Sequence, residues 1–338
     1  MPRPLRVEYE GARYHVMCRG NRDQVVFGSA DDCRLFLKTL SESVQRAGFV
    51  VHAYALMKTH YHLLIETPNG NLVESMKWLQ GAFTQRMNAM HQTWGHLFQG
   101  RYKAKVICMD EPEYFRCVAD YIHLNPASAG LVGNEGKQLA SYVWSSYPFC
   151  IQAPSTRPEW LVVEEVLNHH GLTDTVSGRR RYRELMEERA RIAAGDPKAY
   201  FDLEENRSME RGWIHGSKAF RQKMVELLES RYSDSSFVND ARQKRDLTER
   251  AVRKDLEAGY AFLKLDQDGL GQLRKGDRNK VLLAAYIKEN YTLNNQRISE
   301  LLKMGHPTFI SRCRRMVDED RALKSEYEAL CNYLRAGK

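Results

Sequence analysis

No stretch of this chain reaches the ~20 consecutive apolar residues that a membrane-spanning helix needs. The first residues, Met1-Pro2-Arg3-Pro4-Leu5-Arg6, lack the apolar core of a signal peptide. A cytoplasmic protein with no membrane partner is therefore expected. Cysteine is sparse: Cys18, Cys33, Cys108, Cys117, Cys150, Cys313 and Cys331 make an odd, scattered set of seven with no Cys-x-x-Cys pair. That pattern argues against a disulfide framework and against a thiolate zinc site, and it reads as buried thiols.

What is present is the composition of a soluble globular protein, with 43% hydrophobic and 28% charged residues among 338, enough for two or three domains. The formal charge of +8 is uneven: +3 over 1–150, −1 over 151–270 and +6 over 271–338. Such an asymmetry favours a polyanion partner at the C-terminal end, although a solvated basic face has the same composition.

The first 150 residues read as alternating elements. Residues 14 to 19 form a strand with Tyr14, Val16 and Cys18 on one side and His15, Met17 and Arg19 on the other. Ser29 caps a helix with an apolar stripe at Cys33, Phe36, Leu37, Leu40 and Val44, which Gly48 ends. Val50 to Leu56 and His60 to Glu66 make a hairpin. Asn71 and Glu74 open a second helix in the manner of a capping box, with Leu72, Met76, Leu79, Phe83, Met87 and Met90 along one face. Ala104 to Cys108 is a fourth strand. The order β-α-β-β-α-β is that of an α+β, ferredoxin-like fold, with both helices on one face of the sheet.

Two stretches carry chemistry. In Thr59-His60-Tyr61-His62-Leu63-Leu64-Ile65-Glu66, strand alternation sends His60, His62, Leu64 and Glu66 to one face and Tyr61, Leu63 and Ile65 to the other. Two adjacent imidazoles suit one divalent ion with coordination positions left open; they equally suit a solvated sheet face. In Tyr114 to Pro126, Phe115, Val118 and Ile122 recur at helical spacing, and Pro126 predicts a helix end near Asn125. Tyr121 and Asn125, at i and i+4, share a helical face. A phenol and a carboxamide oxygen presented to two imidazoles would give a nucleophile and a third metal ligand, suited to attack on a phosphodiester. Tyr114 lies on the same stripe and is a rival nucleophile on geometry alone. Glu66 is an alternative ligand, and His123, one position off the Asn125 face, reads as structural.

His60-Tyr61-His62 resembles the His-hydrophobic-His element of the HUH single-stranded-DNA nucleases, and Tyr121 with Asn125 is similar to the catalytic tyrosine and following ligand of their single-tyrosine transposases. Further stretches narrow the resemblance to REP-associated tyrosine transposases: Tyr14-His15-Val16 with Arg19-Gly20-Asn21-Arg22, His52-Ala53-Tyr54, Gly95-His96-Leu97-Phe98-Gln99-Gly100-Arg101, Ala129-Gly130-Leu131-Val132 and Trp144-Ser145-Ser146-Tyr147. They cover roughly residues 1 to 150. One departure is Lys58-Thr59 ahead of His60, where such relatives often carry Pro-Asn. The resemblance implies that residues 1–150 are an HUH nuclease domain in which His60, His62 and Asn125 hold Mg²⁺ or Mn²⁺ and Tyr121 is catalytic. Cleavage would leave a 5′-phosphotyrosine and a free 3′-hydroxyl, with no need for ATP. It also implies single-stranded DNA, folded as hairpins of repetitive palindromes, as partner, and a bacterial, nucleoid-associated protein.

The segment Trp94 to Lys105 interleaves aromatics with cations, which suits single-stranded nucleic acid as well as it suits a loop pinned to the core. Arg101 and Lys103, with Arg19 and Arg22, are the expected DNA contacts of this region. Residues 151–270 read as a helical accessory region without a catalytic signature: a short helix over Trp160 to His169, a charged run from Arg179 to Arg191, a helix capped by Ser217 and another over Asp240 to Glu257. Gly269 to Gly276 reads as a linker. Residues 271–338 carry helices over Asn279 to Glu289 and Gln296 to Lys303, then one opened by Pro307, a succession that resembles a helix-turn-helix. Arg312, Arg314 and Arg315 would then reach phosphates or base edges. The principal expectation is a metal-dependent nickase and strand transferase; the alternatives are a sequence-specific DNA-binding regulator without turnover and an RNA-binding protein using the same surface.

Overall fold

The computed structural model describes residues 6–134, 136–196, 213–231, 241–265, 269–291 and 293–336. They divide into two compact units, 6–224 and 225–338. None of the described helices is long and apolar enough to cross a membrane.

In the first unit, β1 (Ala12–Arg19), α1 (Ala30–Ala47), β2 (Val50–Met57), β3 (His60–Thr67), α2 (Leu72–His91) and β4 (Lys103–Ile107) follow one another as expected. The strands lie in the order β2-β3-β1-β4, antiparallel throughout, which is the ferredoxin-like arrangement. A fifth strand, β5 (Ile214–His215), adds to β4 in parallel and makes the sheet mixed. No periodicity in the sequence announced it, because two residues cannot alternate long enough to register.

The face beneath α1 and α2 is packed with rings. Phe36 meets Tyr61 at 4.9 Å and Phe83 at 5.0 Å between centroids, and Met76 and Met87 are buried among them. α1 begins with a complete capping box between Ser29 and Asp32 and ends at Gly48, whose φ of 69° is left-handed. α2 begins differently from expectation. Asn71 makes no cap bond; its amide donates instead to the Ala47 carbonyl, and Glu8 from the upstream chain accepts from the Val73 N–H.

α3 (Pro112–Ser128) crosses the opposite face and does not stop at Asn125. Pro126 sits inside its last turn, where the helix still closes through Ala129 N–H to Asn125 carbonyl (3.0 Å) and Leu131 N–H to Pro126 carbonyl (3.0 Å). A missing donor is tolerated so close to a helix end. The chain then straps the outer edge of β2: Leu56 N–H donates to the Trp144 carbonyl, Ser146 Oγ accepts from Tyr54 N–H, and Val162 N–H donates to Val51. Helices α4 (Tyr147–Ile151), α5 (Glu164–Asn168) and α6 (Val176–Gly195) follow. The helix expected over Trp160 to His169 is thus confined to its second half, since Leu161 bridges to Val51 of the sheet. Asp120 of α3 is buried between His170 (2.9 Å) and Arg189 of α6, which fixes α3 against the rest of the unit.

α7 (Lys218–Arg231) joins the first unit to the second, which contains α8 (Ala241–Phe262), α9 (Arg278–Asn290), α10 (Asn295–Leu302), α11 (Ile310–Glu319) and α12 (Arg321–Ala336). Its core draws on Val252, Leu256, Leu282, Ile298, Ile310, Val317 and Leu330. Leu270, in the stretch read as a linker, is 2% exposed and belongs to this core. The apolar faces of α8 and α9 pack on each other within this unit. The seven cysteines are all free and buried.

Candidate functional site

Pairing of β1 with β3 decides which side chains share a face. Arg19 stands opposite His60, Met17 opposite His62, His15 opposite Leu64 and Arg13 opposite Glu66. Opposed residues of an antiparallel pair emerge on the same side. That side is the one crossed by α3.

His60 and His62 lie with ring centroids 5.0 Å apart, and the Tyr121 ring sits 5.4 Å from His62. One turn along α3, Asn125 shares the helical face of Tyr121, donates to the Tyr121 carbonyl at 3.5 Å and lies close enough to His60 to act on that ring. The four side chains singled out from two distant stretches of sequence are thus adjacent. Tyr114 is seven residues earlier on α3, about 10 Å along the axis from Tyr121 at 1.5 Å per residue; burial and Glu111 raise its pKa. Glu66 is held at the other end of β3 by Arg13 (2.8 Å) and His52 (3.3 Å). His123 is fully buried, with Nδ1 3.0 Å from the Tyr182 hydroxyl and Nε2 2.8 Å from Ser146 Oγ, so both its nitrogens are committed to packing.

Two histidines not singled out from the sequence join the site. His15, 1% exposed, has Nε2 2.9 Å from His62 Nδ1, and its ring lies 5.5 Å from Tyr121. His215 of β5 stacks on His15 at 5.9 Å. The alternation of β1 had already put His15 on the Arg19 side; only the β1–β3 register relates that side to His62. For His215 the sequence offered no signal.

Electrostatics keep these rings neutral. Burial, then the neighbouring His60 and Arg19, drives His62 down to about 3. Burial first, then His62, His215 and Lys105, pushes His15 well below the usual imidazole range. His60 is lowered by burial and by Arg19, with Asn125 acting in the opposite direction. At neutral pH the His15, His60 and His62 rings therefore each keep a nitrogen lone pair.

These residues can be tested against a divalent cation. His62 Nδ1 is engaged by His15, so Nε2 is the nitrogen of His62 left to meet an ion. His60 Nδ1 lies 3.1 Å from Thr59 Oγ1, which likewise leaves its Nε2. Among the described residues no three His, Cys, Asp or Glu side chains gather as metal ligands. The donor set is two imidazoles and a carboxamide oxygen, which fits a hydrated, oxygen-preferring ion such as Mg²⁺ or Mn²⁺ and does not fit a closed zinc site.

Of the expected DNA contacts in this unit, Lys103 stands opposite Met17 and so shares the transverse row of His62. Arg19, beside His60, pairs with Asp23 at 3.2 Å. Arg22 is exposed in a left-handed conformation, φ 52°, and Arg101 is exposed just before β4. In the second unit, α11 carries Arg312, Arg314 and Arg315. Arg314 is engaged by Glu289 (3.0 Å) and Asp318 (3.2 Å) and lies over the Tyr327 ring. Arg315 pairs with Glu319 at 3.4 Å, and Arg312 is exposed.

Residues 8–125 match the family model described as "Transposase IS200 like". No curated protein matches the chain. Among solved structures, a REP-associated tyrosine transposase bound to a REP hairpin is similar, at 17% identity and a TM-score of 0.39, over 47% of this chain and 89% of that one.

Proposed function

We propose, from the match of residues 8–125 to the IS200-like transposase family model, that this chain is an HUH-type tyrosine transposase that cuts and rejoins single-stranded DNA. The observation that carries the reading is the placement of the Tyr121 ring 5.4 Å from His62, whose ring lies 5.0 Å from His60 on the same strand. A nucleophile on one element and neutral nitrogen ligands on another meet without any rearrangement of the fold.

In the proposed reaction the Tyr121 oxygen attacks phosphorus, an O–P bond forms, and the bond from phosphorus to the 3′-oxygen breaks. The phenolic proton ends on that oxygen as a 3′-hydroxyl, and the 5′-phosphate stays on tyrosine. The energy of the broken ester is retained, so the reverse attack by a 3′-hydroxyl rejoins DNA. His60, His62 and Asn125 would hold Mg²⁺ or Mn²⁺, which when bound supplies neutralisation of phosphate charge and favours the ionised phenol. Arg19 and Lys103 lie on the same sheet face and suit the flanking phosphates. By the sequence resemblance, hairpins of repetitive palindromes are the proposed substrate. The helices α10 and α11, joined across a turn at Lys303 with φ 53°, would act as a helix-turn-helix that holds neighbouring duplex.

The test is incubation of the protein and of Tyr121→Phe with 5′- and 3′-labelled single-stranded hairpins and Mn²⁺. An adduct carrying the 3′ fragment through its 5′-phosphate, lost in the variant, is the expected result; an adduct carrying the 5′ fragment through a 3′-phosphate would overturn the proposed polarity. Binding without an adduct would favour a regulator, and preference for RNA an RNA-processing protein.

A further inference from the structure

The loop after α2 holds one tryptophan in the open. Leu97, Phe98 and Tyr102 are each 9% exposed or less, whereas Trp94 is 91% exposed. Of the aromatics in this cation-rich stretch, Trp94 is thus the one whose ring faces solvent rather than the core. An exposed indole presents a flat apolar face to solvent, and its position is defined where the loop is fastened on both sides. Here it is fastened. Asn88 bonds the Gly95 carbonyl (3.1 Å), the Leu97 carbonyl accepts from Asn21 N–H (2.9 Å) and from the Gln24 amide (3.1 Å), and Gln99 N–H donates to Arg19 (2.9 Å).

Beside the indole is a cavity of about 500 Å³ bordered by Gln24, Asp32, Asn88, His91 and His96. Its polar groups are largely spent on one another. Asp32 accepts from Gly28 and Ser29 and lies 2.6 Å from His91, Asn88 holds Gly95, and Gln24 holds Leu97. The site therefore offers a flat ring beside a wall whose one carboxylate, Asp32, is already held by Gly28, Ser29 and His91. Arg19 and Arg22 precede Gln24 of the cavity in the chain and flank Gly20, where an added Cβ would meet the Gln24 carbonyl oxygen at 2.4 Å, so this loop admits only glycine at that point. This loop adjoins the histidine strand through Gly20 N–H to Thr59 carbonyl (2.8 Å) and Val26 N–H to Lys58 carbonyl (2.9 Å), one and two residues before His60.

We propose that Trp94 and this cavity form a stacking site for one unpaired nucleobase of the strand held at His60 and Tyr121, taking the base by its face without reading its identity. Stacking on an exposed ring is strong for every base and indifferent to its edge, while arginines beside it meet the backbone. The site would fix the register of the strand beside the cleavage position. It rests on the single-strand nickase reading for its ligand, but its chemistry is separate from the tyrosine and the histidines.

The experiment measures binding of a fluorescent single-stranded oligonucleotide to the full chain carrying Tyr121→Phe, so that no cleavage intervenes. Trp94→Ala is compared with Trp94→Phe, and an abasic site is walked through the oligonucleotide. Because Trp94 is exposed, neither substitution removes core packing. Trp94→Ala should weaken binding about 5- to 100-fold, with Trp94→Phe recovering much of it. One abasic position should weaken binding to the parent chain and have no further effect in Trp94→Ala, while changing the base at that position matters little. In the chain with Tyr121 intact, Trp94→Ala should raise the DNA concentration needed for half-maximal adduct by the same factor by which it weakens binding. Equal affinity of Trp94→Ala and parent, or an abasic profile identical in both, overturns the stacking site even if adducts form. Stacking behaviour without any adduct from Tyr121 would instead overturn the nickase and leave this site standing. Absence of all single-strand binding overturns both.

Discussion

His15 Nε2 and His62 Nδ1 are 2.9 Å apart in a buried pocket, and only one proton can lie between them. A cation on His62 Nε2 requires that proton to reside on His62 Nδ1, with His15 accepting and carrying its own proton on Nδ1, an atom that has no hydrogen-bond partner. Adding Mg²⁺ should therefore shift the pair to this tautomer, read by ¹⁵N chemical shifts of the two rings. His15→Phe should weaken Mn²⁺ binding about 10- to 100-fold by calorimetry, and His15→Gln, which can still accept at the same place, should weaken it less. Equal affinity in all three would remove His15 from the site.

Tyr114→Phe should leave the covalent adduct intact. Tyr114 lies about two turns from Tyr121 along α3, and burial, then its neighbour Glu111, raises its pKa, opposing ionisation. Loss of the adduct in this variant and its retention in Tyr121→Phe would exchange the two roles.

Stability should fall on acidification. His123 is buried and held down at about 4, against 6.5 in the unfolded chain, so the unfolded state binds the extra proton first. The stabilisation from keeping it neutral is full above pH 6.5 and is lost progressively as pH falls toward 4, by about 2 kcal/mol at pH 5. Urea denaturation at pH 7.5 and pH 5 checks this. His123→Gln, which does not titrate, should lower stability at pH 7.5 but flatten the pH dependence.

Asp120→Ala should destabilise the first unit by about 3–5 kcal/mol, since Arg189 and His170 lose a carboxylate that is almost wholly buried. The denaturation midpoint reports it. Since Asp120 precedes Tyr121 on α3, adduct formation should also fall at temperatures where the wild type remains folded.

In the second unit, Arg312→Ala should weaken binding to duplex DNA and flatten its salt dependence, with little change in Tm. Arg314→Ala should chiefly lower Tm, because that side chain already spans Glu289, Asp318 and the Tyr327 ring. Reversed effects would show that α11 presents the opposite side to DNA.

Much of the fold was legible because the signals were local. Alternation in β1 and β3, the stripe of α1, and the Ser29 and Gly48 caps each depend on residues within a few positions of one another. Readings failed where a distant residue intervened. The start of α2 is capped by Glu8, Leu161 is drawn to the sheet edge by Val51, and Leu270 is buried by helices on both sides of it in sequence. Pro126 misled for another reason: a local penalty was read as a stop, although a helix near its end has few bonds left to lose.

The amino-acid order by itself determined that His60 and His62 share one side of a strand and that Tyr121 and Asn125 share one side of a helix, since the repeat of each element fixes its own faces. Tertiary structure alone decided that those two faces meet, that His15 stands behind His62 at hydrogen-bonding distance, and that a two-residue strand brings His215 alongside. The reason is the range of the interactions. Backbone geometry orders side chains along one element, whereas the pairing register of β1 with β3 and the anchoring of α3 through Asp120 arise only when the core closes.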